Sequence, residues 1–367
     1  MNNLYRKKKE GKENILFMNR VALITSIDYE LFGDGTGNVT REQINTTNYL
    51  KHLAEVNNVK LSIMFEYAQY IAYEKYEKFS DDNKKIREQL IDLIQSGHDV
   101  QLHYHAQWHN AKYNDCEDIF ELNLSNVDIS SLKYEEIVHV LSEGKQFLEN
   151  LLQPYKEDYQ CIAFRAGSWA VKDENKLVKA LIQTDFKIDT SVVPNVTFNE
   201  GYINFSYPNC PHRYHYWYID KKLSESSHDR QLMEIPIYTI KNKLSIFKYI
   251  NMKSIVLKLL IQKLYKQNIS RQKMSIKDKI ISKLFRNYYM ADINSMQYTT
   301  LLNMIEIVIK DNEFESETII PIMLVGHSKA SYNMDDMHLL YKLLSDKYGN
   351  NVEYWTLQDV YKNIMDK

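Results

Sequence analysis

Gly97-His98-Asp99-Val100-Gln101-Leu102-His103-Tyr104-His105-Ala106-Gln107-Trp108-His109 holds four of the chain's eleven histidines within twelve residues. Its middle, 100–105, reads as a strand with a turn at either end. Side chains alternate faces along a strand, so His103 and His105 point the same way. Two imidazoles on one face at a strand end can share one metal ion, and zinc and other late divalent metals suit imidazole. The plainer reading is a surface strand with polar histidines. Clustered histidines are uncommon by chance, and the metal reading is preferred.

Outward from this stretch, apolar runs at 21–27, 60–66, 160–164, 186–192, 232–237 and 319–325 read as buried strands, with a short one at 352–355. Helical patterns fall between them at 41–57 (capped by Thr40), 67–78, 82–96 (stopped by Gly97), 134–152 and 173–183. Two more lie at 297–311 and 335–344. Alternation of this kind predicts a parallel sheet with helices outside. The glycine-rich Gly33-Asp34-Gly35-Thr36-Gly37 lacks the ending of a phosphate-binding loop and reads as a flexible connection.

The chain has 367 residues, 44% of them hydrophobic and 26% charged, the balance of a globular protein with a large core. Cys116, Cys161 and Cys210 have no CxxC spacing, which argues against a disulfide framework or a thiolate zinc site and suits a reducing compartment. Residues 1–19 are expected to be a disordered basic tail without a secretion signal, and no run is apolar enough to span a membrane. A cytoplasmic protein is expected. The net charge of −2 hides an asymmetry: 241–286 carries thirteen Lys and Arg against one acid, Asp278. That segment reads as a basic helical insertion, over about 241–290, in a single domain of 20–367. It either packs against the domain or meets an anionic membrane or glycolipid. No nucleic-acid motif accompanies the charge.

Polar residues gather at the ends of the expected strands: Asp28, Glu30, His103, His105, Arg165, Asp189, Glu234 and His327. In a (β/α) barrel that rim is one shared mouth. A buried carboxylate or guanidinium is costly unless paired or metal-bound, so their joint recurrence is hard to assign to packing alone.

Five of these segments also carry a resemblance. Ser26-Ile27-Asp28-Tyr29-Glu30, Gly97 to His103, Phe164-Arg165-Ala166-Gly167-Ser168-Trp169, Ile188-Asp189-Thr190-Ser191-Val192-Val193-Pro194 and Leu324-Val325-Gly326-His327 resemble, in order, the motifs of the polysaccharide deacetylases (NodB homology, carbohydrate esterase family four). The resemblance implies a distorted (β/α) barrel of about seven strands, a divalent metal with zinc foremost, and hydrolysis of acetamide groups on N-acetylated sugars. It casts Asp28 as the base that activates water and His327 as the acid for the leaving amine. Arg165 would orient Asp28, with Asp189 behind it, and His103 would bind the metal. Two positions depart from the pattern. Tyr29 stands where the family has a metal-binding aspartate, leaving Glu30 as the nearest carboxylate. Gln107 stands where the family has its second histidine, so His105 or His109 must replace it; strand alternation favours His105.

The expected function is therefore a metal-dependent deacetylase acting on a polysaccharide or glycan precursor. One alternative is a related glycoside hydrolase using Asp28 with Glu234. Another is a non-catalytic glycan- or membrane-binding barrel. Tyr214, Tyr216 and Trp217, near His212 and His215, read equally as a sugar-stacking surface or a packed loop.

Overall fold

The computed structural model describes residues 19–241, 256, 287–311, 318–331 and 334–366, with Glu200 and Ala330 as backbone only. The basic tail before Asn19 and nearly all of the basic segment lie outside the described residues. Asn19 itself, counted above with the tail, is buried, and its side chain donates to the Val308 carbonyl at 3.1 Å.

The strands are β1 (Arg20–Tyr29), β2 (Leu61–Glu66), β3 (Asp99–Tyr104), β4 (Lys112–Asn114), β5 (Ile119–Glu121), β6 (Ala163–Ala166), β7 (Ile188–Asp189) and β8 (Thr197–Glu200). They continue with β9 (Ile203–Ser206), β10 (Trp217–Ile219), β11 (Leu232–Glu234), β12 (Thr239–Lys241), β13 (Tyr288–Met290), β14 (Ile319–His327) and β15 (Val352–Tyr354). The main sheet runs β10-β11-β7-β6-β3-β2-β1-β14, with β15 also on β1. Seven strands, from β11 round to β14, are mutually parallel; β10 is antiparallel to β11. The sheet curls until Ile237, just past β11, forms a parallel bridge with Met323 of β14. A second bridge, Asp292 to Val325, covers the same edge. This is the distorted barrel of about seven strands expected from the sequence, stitched shut by bridges rather than by a full ladder.

Every residue of β1 from Val21 to Tyr29 is buried, as an apolar central strand with covered faces must be. Helices α1 (Thr46–Val56), α2 (Tyr67–Glu74), α3 (Ser80–Gln95), α4 (Tyr134–Leu152) and α5 (Glu174–Gln183) fill the crossovers. Gly97 ends α3 at φ +81°, where a side chain would be strained, and its N–H bonds the Ile94 carbonyl at 3.0 Å. The first helical stretch starts earlier than expected. Asn38, not Thr40, caps it by accepting from the Arg41 N–H at 3.0 Å, and the Glu42 carboxylate returns to the Asn38 N–H at 2.6 Å. At the margins of the expected insertion β12 and β13 pair antiparallel, Lys241 opposite Tyr288, and the body of that stretch lies outside the described residues. Tyr214 and Trp217 are buried, the Trp217 indole N–H at the start of β10 donating to the Leu223 carbonyl at 2.8 Å, so these two pack inward and only Tyr216, half-buried, is left of the expected sugar platform. Among the described residues no helix is long and apolar enough to cross a membrane.

Candidate metal and acid–base site

Strand parity builds the site. Asp28 lies beside His327 on one side and Met64 on the other; Glu66 lies beside His103, and His103 beside Arg165. Neighbours in register share a face, and so do residues two apart. The interior therefore receives Ser26 and Asp28 from β1, Glu66 from β2, His103 from β3, Arg165 from β6 and His327 from β14. Glu30, His105 and Lys329 follow just beyond the strand ends.

Arg165 is fully buried, and each of its three guanidinium nitrogens is bonded. Nη1 pairs with Asp28, Nη2 donates to Ser26 Oγ at 2.8 Å and Thr190 Oγ1 at 3.1 Å, and Nε donates to the Thr190 carbonyl at 3.1 Å. Burial would raise the Asp28 carboxyl, but Arg165, His103 and His327 outweigh it and hold it below the usual range. His327 Nε2 stands 3.7 Å from Asp28 Oδ2. Burial pulls His327 below its ordinary value despite Asp28, so at neutral pH its ring is uncharged.

Beside this pair lies a second cluster. His103 Nε2 is 3.2 Å and His105 Nδ1 is 3.1 Å from Glu30 Oε2, and His105 Nδ1 is 2.5 Å from Glu66 Oε2. One ligand atom from each of Glu30, Glu66, His103 and His105 falls within 4.8 Å of the others. Two imidazole nitrogens and two carboxylate oxygens at that spacing fit a late divalent ion. His103 Nδ1 lies 2.9 Å from the Arg165 carbonyl, which fixes the ring and turns Nε2 to the cluster. Burial works against a charge on His103, yet Asp28 and Glu30 lift it to about 9; a metal would have to displace that proton. Gly167 allows the approach of β6 to this cluster, since a Cβ there would meet the His105 ring at 2.6 Å and its Cα at 2.7 Å.

The structure thus brings together Asp28, Glu30, His103, His105, Arg165 and His327. His109 is not with them: its Nδ1 meets the Tyr104 hydroxyl at 2.8 Å. Gln107 is not either, its amide nearing the Gly33 carbonyl at 3.4 Å. Asp189 makes no hydrogen bond to Arg165, although the Arg165 charge acts to lower its carboxyl. Thr190 holds that guanidinium, so Asp189, one residue earlier, falls on the opposite face of the sheet. There it accepts from the Ser191 N–H at 2.9 Å and hydroxyl at 3.0 Å, in register with Glu234. Burial raises both carboxyls, and the nearness of Asp189 raises Glu234 further. Glu234 therefore does not face Asp28, and the two do not form a carboxylate pair.

Glu66 was not singled out from the sequence. It ends β2 as Asp28 closes β1, which was the available signal. Its role as the cap of α2, accepting from the Ala68 N–H at 2.9 Å, is the plainer meaning of an acid before a helix. Lys329, paired with Glu30, gave no signal at all.

Neither a protein-family model nor a curated protein matches the sequence. Among solved structures, the chain is similar to a 4-alpha-glucanotransferase from Thermococcus litoralis, with 10% identity over 95% of this chain and 41% of that one, at a TM-score of 0.49. It is similar to Puue allantoinase, with 9% identity over 94% and 92% and a TM-score of 0.47. It is also similar to the polysaccharide deacetylase Bc1974 from Bacillus cereus, with 11% identity over 92% and 94% and a TM-score of 0.38. These figures describe overlap of chain path, and no activity is carried across from them.

Proposed function

We propose that the chain is a divergent polysaccharide deacetylase, a metal-dependent hydrolase that frees acetate from N-acetylated sugars of a glycan precursor. The observation that carries this reading is the placement of Asp28 and His327 side by side, with Arg165 locking Asp28, next to a cluster of two histidines and two carboxylates. A divalent ion, zinc foremost, held by Glu30, Glu66, His103 and His105 would polarise the acetamide carbonyl and acidify water. Asp28, kept ionised by Arg165, takes the proton as water attacks the carbonyl carbon. His327 is uncharged at rest, so it must gain a proton before giving one. Asp28 and His327 must close from 3.7 Å to hydrogen-bond reach in the substrate complex for the proton taken from water to pass to His327 and then to the departing amine. The C–N bond breaks, leaving acetate and a free amine. The basic segment 241–286 would hold the enzyme at an anionic surface carrying a lipid-linked glycan, on the cytoplasmic side.

The test is metal analysis of the purified full chain, with acetate release measured on a panel of N-acetylated sugars. Asp28→Asn is expected to lower turnover by about 10²–10⁴-fold while leaving the circular dichroism spectrum and melting temperature intact. No bound metal and no acetate from any sugar would sink the proposal, and normal turnover in Asp28→Asn would remove Asp28 as the base.

A further inference from the structure

Glu30 offers its two oxygens to different partners. Oε2 faces His103 and His105, at 3.2 and 3.1 Å, whereas Oε1 is ion-paired with the Lys329 ammonium. Lys329 is no loose surface lysine. Its side chain is 14% exposed, and it stands on the turn Ser328–Ala330 directly after β14. Ser328 Oγ fastens that turn to β1, accepting from the Glu30 N–H at 3.2 Å and donating to the Glu30 carbonyl at 3.3 Å. Asn294 grips the preceding residue, accepting from the His327 N–H at 2.7 Å and donating to its carbonyl at 3.2 Å. The backbone thus delivers the ammonium to Glu30.

Charge counting gives this position its meaning. Asp28, Glu30 and Glu66 are the carboxylates of the interior, and Arg165 answers Asp28. Once a metal has displaced the His103 proton, Glu30 and Glu66 with the two imidazoles match a divalent ion by themselves. Lys329 is the surplus positive charge, fixed on one of the ligands. A like charge held against a ligand oxygen repels the incoming ion and engages a lone pair that the ion would otherwise draw on.

We propose that Lys329 competes with the divalent ion for Glu30 and sets the site's metal affinity well below what its ligands alone would give. This rests on the metal reading above. Lys329 acts through Glu30 and is a positioning residue. It makes the metal exchangeable where the four ligands by themselves would hold it fast.

Zinc titrated calorimetrically into the full metal-free chain tests this. Lys329→Met keeps the stem and removes the like charge, and it is expected to bind zinc at least about tenfold more tightly than the natural chain. Lys329→Arg, which keeps the charge, is expected to bind as the natural chain does. If Lys329→Met folds poorly, Lys329→Gln retains a donor for Glu30 without the charge and is also expected to bind more tightly. Zinc should raise the melting temperature of either neutral variant more than that of the natural chain. Neutral variants that bind zinc no better, or worse, than the natural chain would reduce Lys329 to a structural ion pair and overturn the proposal, leaving the metal site standing. Absence of zinc binding by the natural chain and by every variant would overturn the metal site and this proposal together.

Discussion

Asp99 opens β3 as a buried acid with no cation bonded to it. Its Oδ1 accepts from Gln101 Nε2 at 2.9 Å and its Oδ2 from the Gln358 N–H at 3.3 Å. Burial outweighs these bonds and lifts the carboxyl to about 7. In the unfolded chain it titrates near 4. A carboxyl raised by folding stabilises the fold fully below the unfolded value, and that contribution is lost as pH climbs through the folded one. Asp99→Asn keeps the shape without the charge, so it is expected to flatten the fall in stability between about pH 4 and 7. Above pH 7 it should be the more stable protein by on the order of 3 kcal/mol. Urea unfolding at pH 5 and pH 8 decides it; the same pH dependence in both proteins would contradict the assignment. Asp28 has the opposite sign. Its carboxyl is lowered on folding, so its contribution is present above the unfolded value and fades as pH falls through the folded one. At this scale the sequence made the outline of the site legible, because Asp28, His103, His105, Arg165 and His327 stand at the ends of recognisable apolar runs. Asp189 is named through the resemblance and not through parity, and it is its neighbour Thr190 that bonds Arg165. Glu66 hid behind its capping role, and Lys329 pairs with an acid 299 positions away.

Elements meet closely where glycine permits. Gly144 in α4 faces β3, where a Cβ would lie 2.6 Å from Leu102 Cδ1. Gly167, at the end of β6, faces His105 at the end of β3. Both are tight, but they guard different things. Gly144→Ala is expected to lower stability by about 1–3 kcal/mol through overpacking, with zinc binding unchanged. Gly167→Ala pushes on a ring of the candidate metal cluster and on backbone, and should weaken zinc binding about 10–100-fold. Thermal melts and zinc titration of the two variants separate the effects; normal zinc affinity in Gly167→Ala would show that His105 can yield without consequence. The residues past Gly167 are strained as well, Ser168 and Trp169 both having positive φ, 54° and 55°. The Trp169 ring meets the His327 ring edge-on at 5.7 Å. Strands and helices were legible from hydrophobic period. The β12–β13 pair was not, since its two halves are separated by the basic segment and neither has a period of its own.

At the scale of the molecule, that pair makes 242–287 leave and rejoin the barrel at adjacent positions. Replacing 242–287 by Asn-Gly would join Lys241 to Tyr288 through a two-residue hairpin turn. The shortened chain is expected to fold and to bind zinc as the full chain does. The full chain should co-sediment with anionic vesicles at low salt and be released at high salt, each basic residue near the surface adding about 1 kcal/mol. The shortened chain should not. Vesicles ignored by the full chain at low salt end the membrane reading. Barrel topology has one more consequence, for biosynthesis. β1 lies between β2 and β14, and β14, paired with it along nearly its whole length, begins about 290 residues after β1 ends. At ribosomal rates near 5–20 residues per second, that is roughly 15–60 s during which one edge of β1 has no partner. A growing chain therefore carries an unpaired edge on a largely apolar strand for most of its synthesis, the kind of surface that chaperones shield and that aggregates capture. The Asp28–His327 pair is completed late, when His327 leaves the ribosome and takes its place beside Asp28.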